Sequence, residues 1–282
     1  MRFVEGILAG AGLMVVALAL MPDSLARRLA ERNYRGASVP AILGVALAAL
    51  AVLVPGLSNA GHALWGRPFA QIPWRVVAAL AVVAVAGLLD DLSPHGPRGI
   101  RAHLRALATA PPTTGIVKLV AILAASVVGL YGFRPDGVQL ALGVVVAAGS
   151  ANLWNGLDVA PGRAGKAFLP VMAVLMLYLP TLPFALLVGA AVVALRVDLR
   201  ERAMLGDSGS NLLGFAVGLG LALRLPTWQL AVAAGAIVAL NALAETVTLS
   251  RLIEATPPLR WVDRLGRRQA REASEAREPS RP

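Results

Sequence analysis

The sequence predicts an all-α fold: a polytopic membrane protein of about nine transmembrane helices. Three observations carry that prediction. The 282 residues are 57% hydrophobic and 15% charged, with mean hydropathy +0.69. Soluble domains carry about 25% charged and 45–50% apolar residues, so this chain has too few charges to coat a water-facing surface. Apolar runs of near-spanning length, about 20 residues each, recur along it. Between them, arginine gathers in every second loop. A soluble enzyme, a disordered chain and a fibrous protein are excluded. Cysteine is absent, which removes a disulfide framework, a zinc–thiolate site and a cysteine nucleophile.

The runs fall at about 3–21, 39–57, 73–89, 115–132, 138–154, 168–180, 184–197, 210–224 and 228–250. The first reads as a span rather than a cleavable signal, because its flank is weakly basic and no small-residue cleavage site follows. The two shortest are separated by Leu179-Pro180-Thr181-Leu182-Pro183, which reads either as a tight turn or as a kink in one helix.

Orientation follows from the basic residues, because cytoplasmic loops retain Lys and Arg. Of 26 such residues, only Arg2, Arg67, Arg75, Arg134 and Arg224 fall on the side of the first helix's start. The N-terminus is therefore expected outside and the C-terminus in the cytoplasm. The net charge of +10 reads as attraction to anionic lipid headgroups, with no nucleic-acid partner. Residues 1–255 form the expected transmembrane domain. Residues 256–270 form a basic amphipathic juxtamembrane segment, and 271–282 a disordered polar tail.

Acids near lipid are expensive, so their positions carry information. Asp90-Asp91 ends the third helix, where the helix dipole disfavours negative charge. Asp158 follows the fifth in Asn152-Leu153-Trp154-Asn155-Gly156-Leu157-Asp158. Asp207 precedes the eighth in Gly206-Asp207-Ser208-Gly209-Ser210. All three clusters fall on the cytoplasmic side. Each acid alone also reads as a solvated helix cap, with Asp207 and Ser208 suited to a helix start. Two adjacent carboxylates need a cation nearby, and magnesium is the usual partner of carboxylates that handle phosphates.

These residues resemble the polyprenyl-phosphate N-acetylhexosamine-1-phosphate transferases (MraY/WecA type, glycosyltransferase family 4). Gly87-Leu88-Leu89-Asp90-Asp91 is similar to that family's paired-aspartate motif. The segment from Asn152 to Asp158 is similar to its N-L-x-D-G-L-D motif. Gly206-Asp207-Ser208-Gly209-Ser210 with Leu213-Gly214 is similar to its G-D-x-G-S-x-x-L-G motif. Asn155 stands where the family has Asp, and the histidine-rich motif after the ninth helix has no counterpart.

The resemblance implies transfer of a phospho-sugar from a UDP-sugar to a polyprenyl (undecaprenyl) phosphate, releasing UMP, for cell-envelope glycan synthesis. It implies a multi-pass plasma-membrane enzyme, active on the cytoplasmic side and using Mg2+ or Mn2+. It makes Asp207 the metal ligand and Asp90, Asp91, Asp158 and Lys118 the catalytic group. Asn152, Asn155, Arg163, Lys166 and Ser208 would contact substrate. Membrane lipids are further partners, and a homodimer is admitted.

Plainer readings stand beside these. Lys118 suits a snorkelling lysine, and Arg163 and Lys166 suit a positive-inside loop. Trp65, Trp74, Trp228 and Trp261 suit interfacial anchors, Glu245 a structural partner for a loop arginine, and His95 and His103 solvated positions. The arginine-rich stretch 260–268 is expected to close the cleft, or else to anchor on anionic lipid. Two other functions compete: a catalytically lapsed relative acting as scaffold or lipid-phosphate binder, and a secondary transporter. Transporter sites lie near the midplane on broken helices, whereas these acids gather at one face.

Overall fold

In a computed structural model, residues 2–65, 73–93, 113–178, 182–247 and 249–267 are described, the side chains of 2, 3 and 58–65 excepted. The described residues are all-α apart from one small hairpin. Its elements are α1 (Arg2–Ala19), α2 (Asp23–Arg28), β1 (Ala30–Arg32), β2 (Ser38–Pro40), α3 (Leu43–Trp65), α4 (Trp74–Asp91), α5 (Thr114–Leu130), α6 (Gly137–Leu157), α7 (Arg163–Tyr178), α8 (Leu182–Asp198), α9 (Gly206–Arg224), α10 (Thr227–Thr246), α11 (Leu249–Ala255) and α12 (Pro257–Arg264).

The apolar runs became helices in the order the sequence sets out, with displaced ends. α5 and α6 begin where Thr113 and Asp136 cap them, their side chains accepting from the backbone N–H of Ile116 and Gln139. α7 and α8 are separate helices. Among the described residues two helices, α6 and α10, are long and apolar enough to cross a membrane, and α1, α3 and α5 contain shorter apolar stretches.

The second run starts later than expected, at Leu43, because residues 30–40 form an antiparallel hairpin instead. Its register pairs Ala30 with Pro40, Glu31 with Val39 and Arg32 with Ser38. The turn is organised by Asn33, whose Oδ1 accepts from the N–H of both Arg35 and Ala37 at 3.0 Å. The last run is broken: α10 ends at Thr246, and the chain continues as the short helices α11 and α12.

α9 is the central element. It packs against α3, α4, α5, α6 and α7 and is buried around most of its circumference. Small residues make this possible, since they let helix backbones approach closely. A Cβ at Gly87 of α4 would lie 2.6 Å from the Asp207 carbonyl oxygen and from the Ser208 Cα. One at Gly44 of α3 would meet the backbone of Gly209. The start of α9 is thus wedged between α3 and α4. The chain enters it along the hairpin: Met204 N–H donates to the Pro40 carbonyl at 3.0 Å, and Gly44 N–H to the Leu205 carbonyl at 3.1 Å.

Candidate functional site

The end of α4 and the start of α9 explain one another. α9 has no cap from its own chain neighbourhood, for Leu205 offers no side-chain acceptor. Its orphan amides are instead met by Asp91. Asp207 N–H donates to Asp91 Oδ1 at 2.7 Å and Ser208 N–H to Oδ2 at 3.0 Å. The negative carboxylate at the wrong end of α4 therefore sits at the favourable end of α9. Asp207 and Ser208 are not the cap; they lie in the first turn, one residue into a helix opened by Gly206. That glycine has φ +66°, and any Cβ there would lie 3.0 Å from both Asp91 oxygens.

The neighbouring acid, Asp90, is met by Lys118 from α5. The Lys118 ammonium donates to Asp90 Oδ2 at 2.6 Å and also to Asp207 Oδ2. Three helices are tied by this one amine. Lys118 is 13% exposed, so its stem is packed and its charge faces the two carboxylates.

These groups line a cleft of about 630 Å³. Asp90, Asp91, Lys118, Asn155, Asp158 and Asp207 all contribute to its wall. Asp158 is half-buried just beyond α6. Burial, then the nearby charges of Asp198, Asp207 and Asp91, pushes its carboxyl well above the usual carboxylate range, against a hydrogen bond from the Gly206 backbone. Among the described residues that line the cleft, acids outnumber the two cations, Lys118 and Arg32. Asn155 Oδ1 lies 3.0 Å from the Ser210 hydroxyl, which is also 2.8 Å from the Gly206 carbonyl.

Four sequence candidates do not line this cleft. Asn152 donates from Nδ2 to Asn241 Oδ1 at 2.6 Å, between α6 and α10. Ser208 is fully buried, its hydroxyl donating to the Ala84 carbonyl at 3.2 Å. Arg163 is buried against Asp263 of α12 in a bidentate pair, Nε to Oδ1 at 2.9 Å and Nη2 to Oδ2 at 3.1 Å. Lys166 donates to the carbonyls of Val262 and Asp263 at 3.0 and 2.7 Å. Both cations are taken up by the C-terminal segment. In that segment, Arg264 pairs with Glu254 and Arg267 with Asp263, and none of 260–267 contributes to the cleft wall. His95, His103, Arg268 and the tail 271–282 lie outside the described residues, as does the Trp65 side chain.

The sequence reading missed one wall of the cleft: Glu31, Asn33 and Tyr34 of the hairpin, with Asp198 at the end of α8 and Glu201 from the turn after it. Glu201 joins the two parts. It adopts the left-handed region at φ 54°, unusual for a side-chain-bearing residue. Its carboxylate accepts from Asn33 Nδ2 at 3.0 Å and pairs with Arg35 at 3.3 Å. The available signal was position alone, since both stretches fall in loops assigned to the same face.

The donor set suits a hard cation. Among the described residues no three acidic or histidine side chains cluster to cage a metal by themselves. Magnesium, however, is commonly held by one or two carboxylates together with substrate phosphates, and Asp207 and Asp90 supply such oxygens at the cleft. No family model and no curated protein matches the chain.

Proposed function

We propose that the chain transfers a phospho-sugar, an N-acetylhexosamine-1-phosphate or a relative, from a UDP-sugar to a polyprenyl phosphate. In this reading the nine long helices span the plasma membrane with the cleft on the cytoplasmic side. An oxygen of the acceptor phosphate attacks the β-phosphorus of the UDP-sugar. The bond from that phosphorus to the bridging oxygen breaks, and UMP leaves. Such chemistry rests mainly on positioning and on neutralising charge.

One observation carries the reading: Lys118 lies between Asp90 and Asp207 in the wall of a cleft lined by residues of all three motif segments. Lys118 neutralises phosphate oxygens as they arrive. Asp90, beside it, accepts from the Lys118 ammonium at 2.6 Å and so holds that charge at the cleft. Asp91 touches no substrate; it holds the first turn of α9 and so positions Asp207. Asp207, with Asp90, would hold Mg2+. When bound, that ion supplies charge neutralisation for the diphosphate. Asn155 and Asp158 line the opposite side, where the nucleotide would sit.

The test is direct. Purified protein is incubated with undecaprenyl phosphate, Mg2+ and a panel of UDP-sugars, and UMP release is measured. Release with one sugar, dependent on the acceptor, supports the reading. No release across the panel, from protein whose unfolding is cooperative, would leave it as a scaffold or lipid-phosphate binder.

A further inference from the structure

α12 is amphipathic, and it docks on the protein by its polar side. Arg260, Asp263 and Arg264 fall along one stripe, with Arg267 just past the helix end, and Pro258, Trp261 and Val262 along the other, with Leu265 directly after it. In a water-soluble protein the apolar stripe would face inward. Here Asp263 is 4% exposed, whereas Trp261 is 67%, Leu265 54% and Val262 44% exposed.

Two members of the polar stripe, Asp263 and Arg267, are firmly held, while Arg260 and Arg264 stay exposed. Asp263 takes the bidentate Arg163 pair, and burial is outweighed by Arg163, Arg267 and Lys166, which keep its carboxyl below the usual range. Lys166 donates to carbonyls in the last turn of α12, where cations are favoured. Arg267 Nε donates to the Pro161 carbonyl at 3.1 Å. Arg163 also reaches Ser250 of α11 at 2.9 Å. The segment so gripped, 158–166, contributes Asp158, Val159, Ala160 and Pro161 to the cleft wall.

We propose that α12 lies in the headgroup layer of an anionic bilayer, Trp261 stripe inward, and that its Asp263 stripe clamps the 158–166 loop. The membrane surface then holds one wall of the cleft in place. The occupant follows from chemistry. A tryptophan, a valine and a leucine flanked by Arg260 and Arg264 match the boundary between acyl chains and negative headgroups. The inference rests on the membrane part of the function proposed above and not on its chemistry.

The chain has no cysteine, so a single one can be placed and labelled. Trp261→Cys and Arg260→Cys, each carrying an environment-sensitive fluorophore, are compared in nanodiscs of phosphatidylcholine with and without phosphatidylglycerol. The expected result is a blue shift and a several-fold brighter label at 261, quenched by spin-labelled lipid and stronger with phosphatidylglycerol. The label at 260 stays water-like. A water-like 261 label in nanodisc-embedded protein overturns the placement, and so does a 261–261 disulfide between two copies. Failure of the protein to enter nanodiscs overturns the membrane reading itself. For the clamp, hydrogen exchange over 159–166 is measured in the same nanodiscs. Asp263→Asn should speed it several-fold without changing α4 or α9, and Asp263→Glu should restore slow exchange. Unchanged exchange in Asp263→Asn, or acceleration throughout the chain, overturns the clamp.

Discussion

Asp91 and Asp207 are joined through the backbone: the N–H of one donates to the carboxylate of the other at 2.7 Å, across 116 positions of sequence. This bond makes the C-terminus of α4 the cap of α9, and it fixes the direction in which the Asp207 side chain leaves its helix. Asp91→Asn keeps the shape but turns one acceptor into an amide donor facing a backbone N–H. A buried donor left without an acceptor costs about 1–3 kcal/mol. The variant should therefore melt earlier, and UMP release should fall with it. Asp91→Asn that melts like the unaltered protein would show that α9 does not depend on this cap.

Lys118 answers two carboxylates at once. Lys118→Met keeps the stem and leaves Asp90 and Asp207 facing each other without a cation. Breaking one partner out of a buried ion pair costs about 3–5 kcal/mol, and this site, partly open to the cleft, should fall at or below the lower end. Turnover should drop by a hundredfold or thereabouts, on the order of the loss of one preorganised charge donor. Lys118→Arg should fold better than Lys118→Met yet still turn over slowly, because a planar guanidinium cannot take the place of a compact ammonium between two acids. Initial rates and melting curves of the pair separate the two effects.

The long helices were legible because an apolar run needs only its own residues to declare itself. Asp90, Asp158 and Asp207 were legible as a group because acids beside lipid are rare enough to stand out. The partners of those acids were not. Asp91 finds its donors 116 and 117 positions away, and Arg163 finds Asp263 at 100. No local spacing encodes such pairs. The 30–40 hairpin is not legible in the sequence, and its end merges with the second apolar run, because its strands are three residues each, too short for alternation to register. Its order comes from the Asn33 turn and from Glu201, again far off in sequence. Arg163 and Lys166 illustrate the converse. A basic loop beside an expected diphosphate site invites assignment to substrate, yet both cations here are engaged by α12.

Gly87 tests the wedge between α4 and α9. Its added Cβ in Gly87→Ala would fall 2.6 Å from backbone atoms of residues 207 and 208, which cannot rotate away as a side chain can. Overpacking of this kind costs about 1–3 kcal/mol. The start of α9 should shift, so the loss of activity should exceed what the loss of stability alone explains. Gly56→Ala, where no atom lies within 4 Å, is the control and should be neutral. Equal melting temperatures for the two variants would contradict the wedge.

A divalent cation should stabilise the cleft, because Asp90, Asp158, Asp198 and Asp207 gather there with Lys118 as the nearest balancing amine. Mg2+ or Mn2+ binding the folded chain and not the unfolded one raises the melting temperature with concentration, by mass action. Asp207→Asn should abolish most of that rise, whereas Asp23→Asn, on α2 and away from the cleft wall, should leave it intact. Activity should disappear with excess chelator and return on adding Mg2+. A concentration-dependent rise that survives in Asp207→Asn would move the ion elsewhere.

The clamp on α12 should open in acid, and the sign follows from Asp263. Burial would raise its pKa, but Arg163, Arg267 and Lys166 win and hold it below the unfolded value. A depressed carboxyl contributes stability that is present above its unfolded pKa, about 3.9, and is lost as pH falls through the folded value. From pH 7 down to about 5 the contribution of Asp263 should therefore be constant. Below about 4 it should weaken progressively, as protonation of Asp263 leaves Arg163 buried without its counter-charge. Proteolysis at the α11–α12 junction reads this out: cleavage should stay slow at neutral pH and accelerate in the acid range before the helical core melts. In Asp263→Asn, cleavage should be fast at every pH and show no acid step of its own. An acid step that persists unchanged in that variant would assign the opening to another group and remove Asp263 from the account.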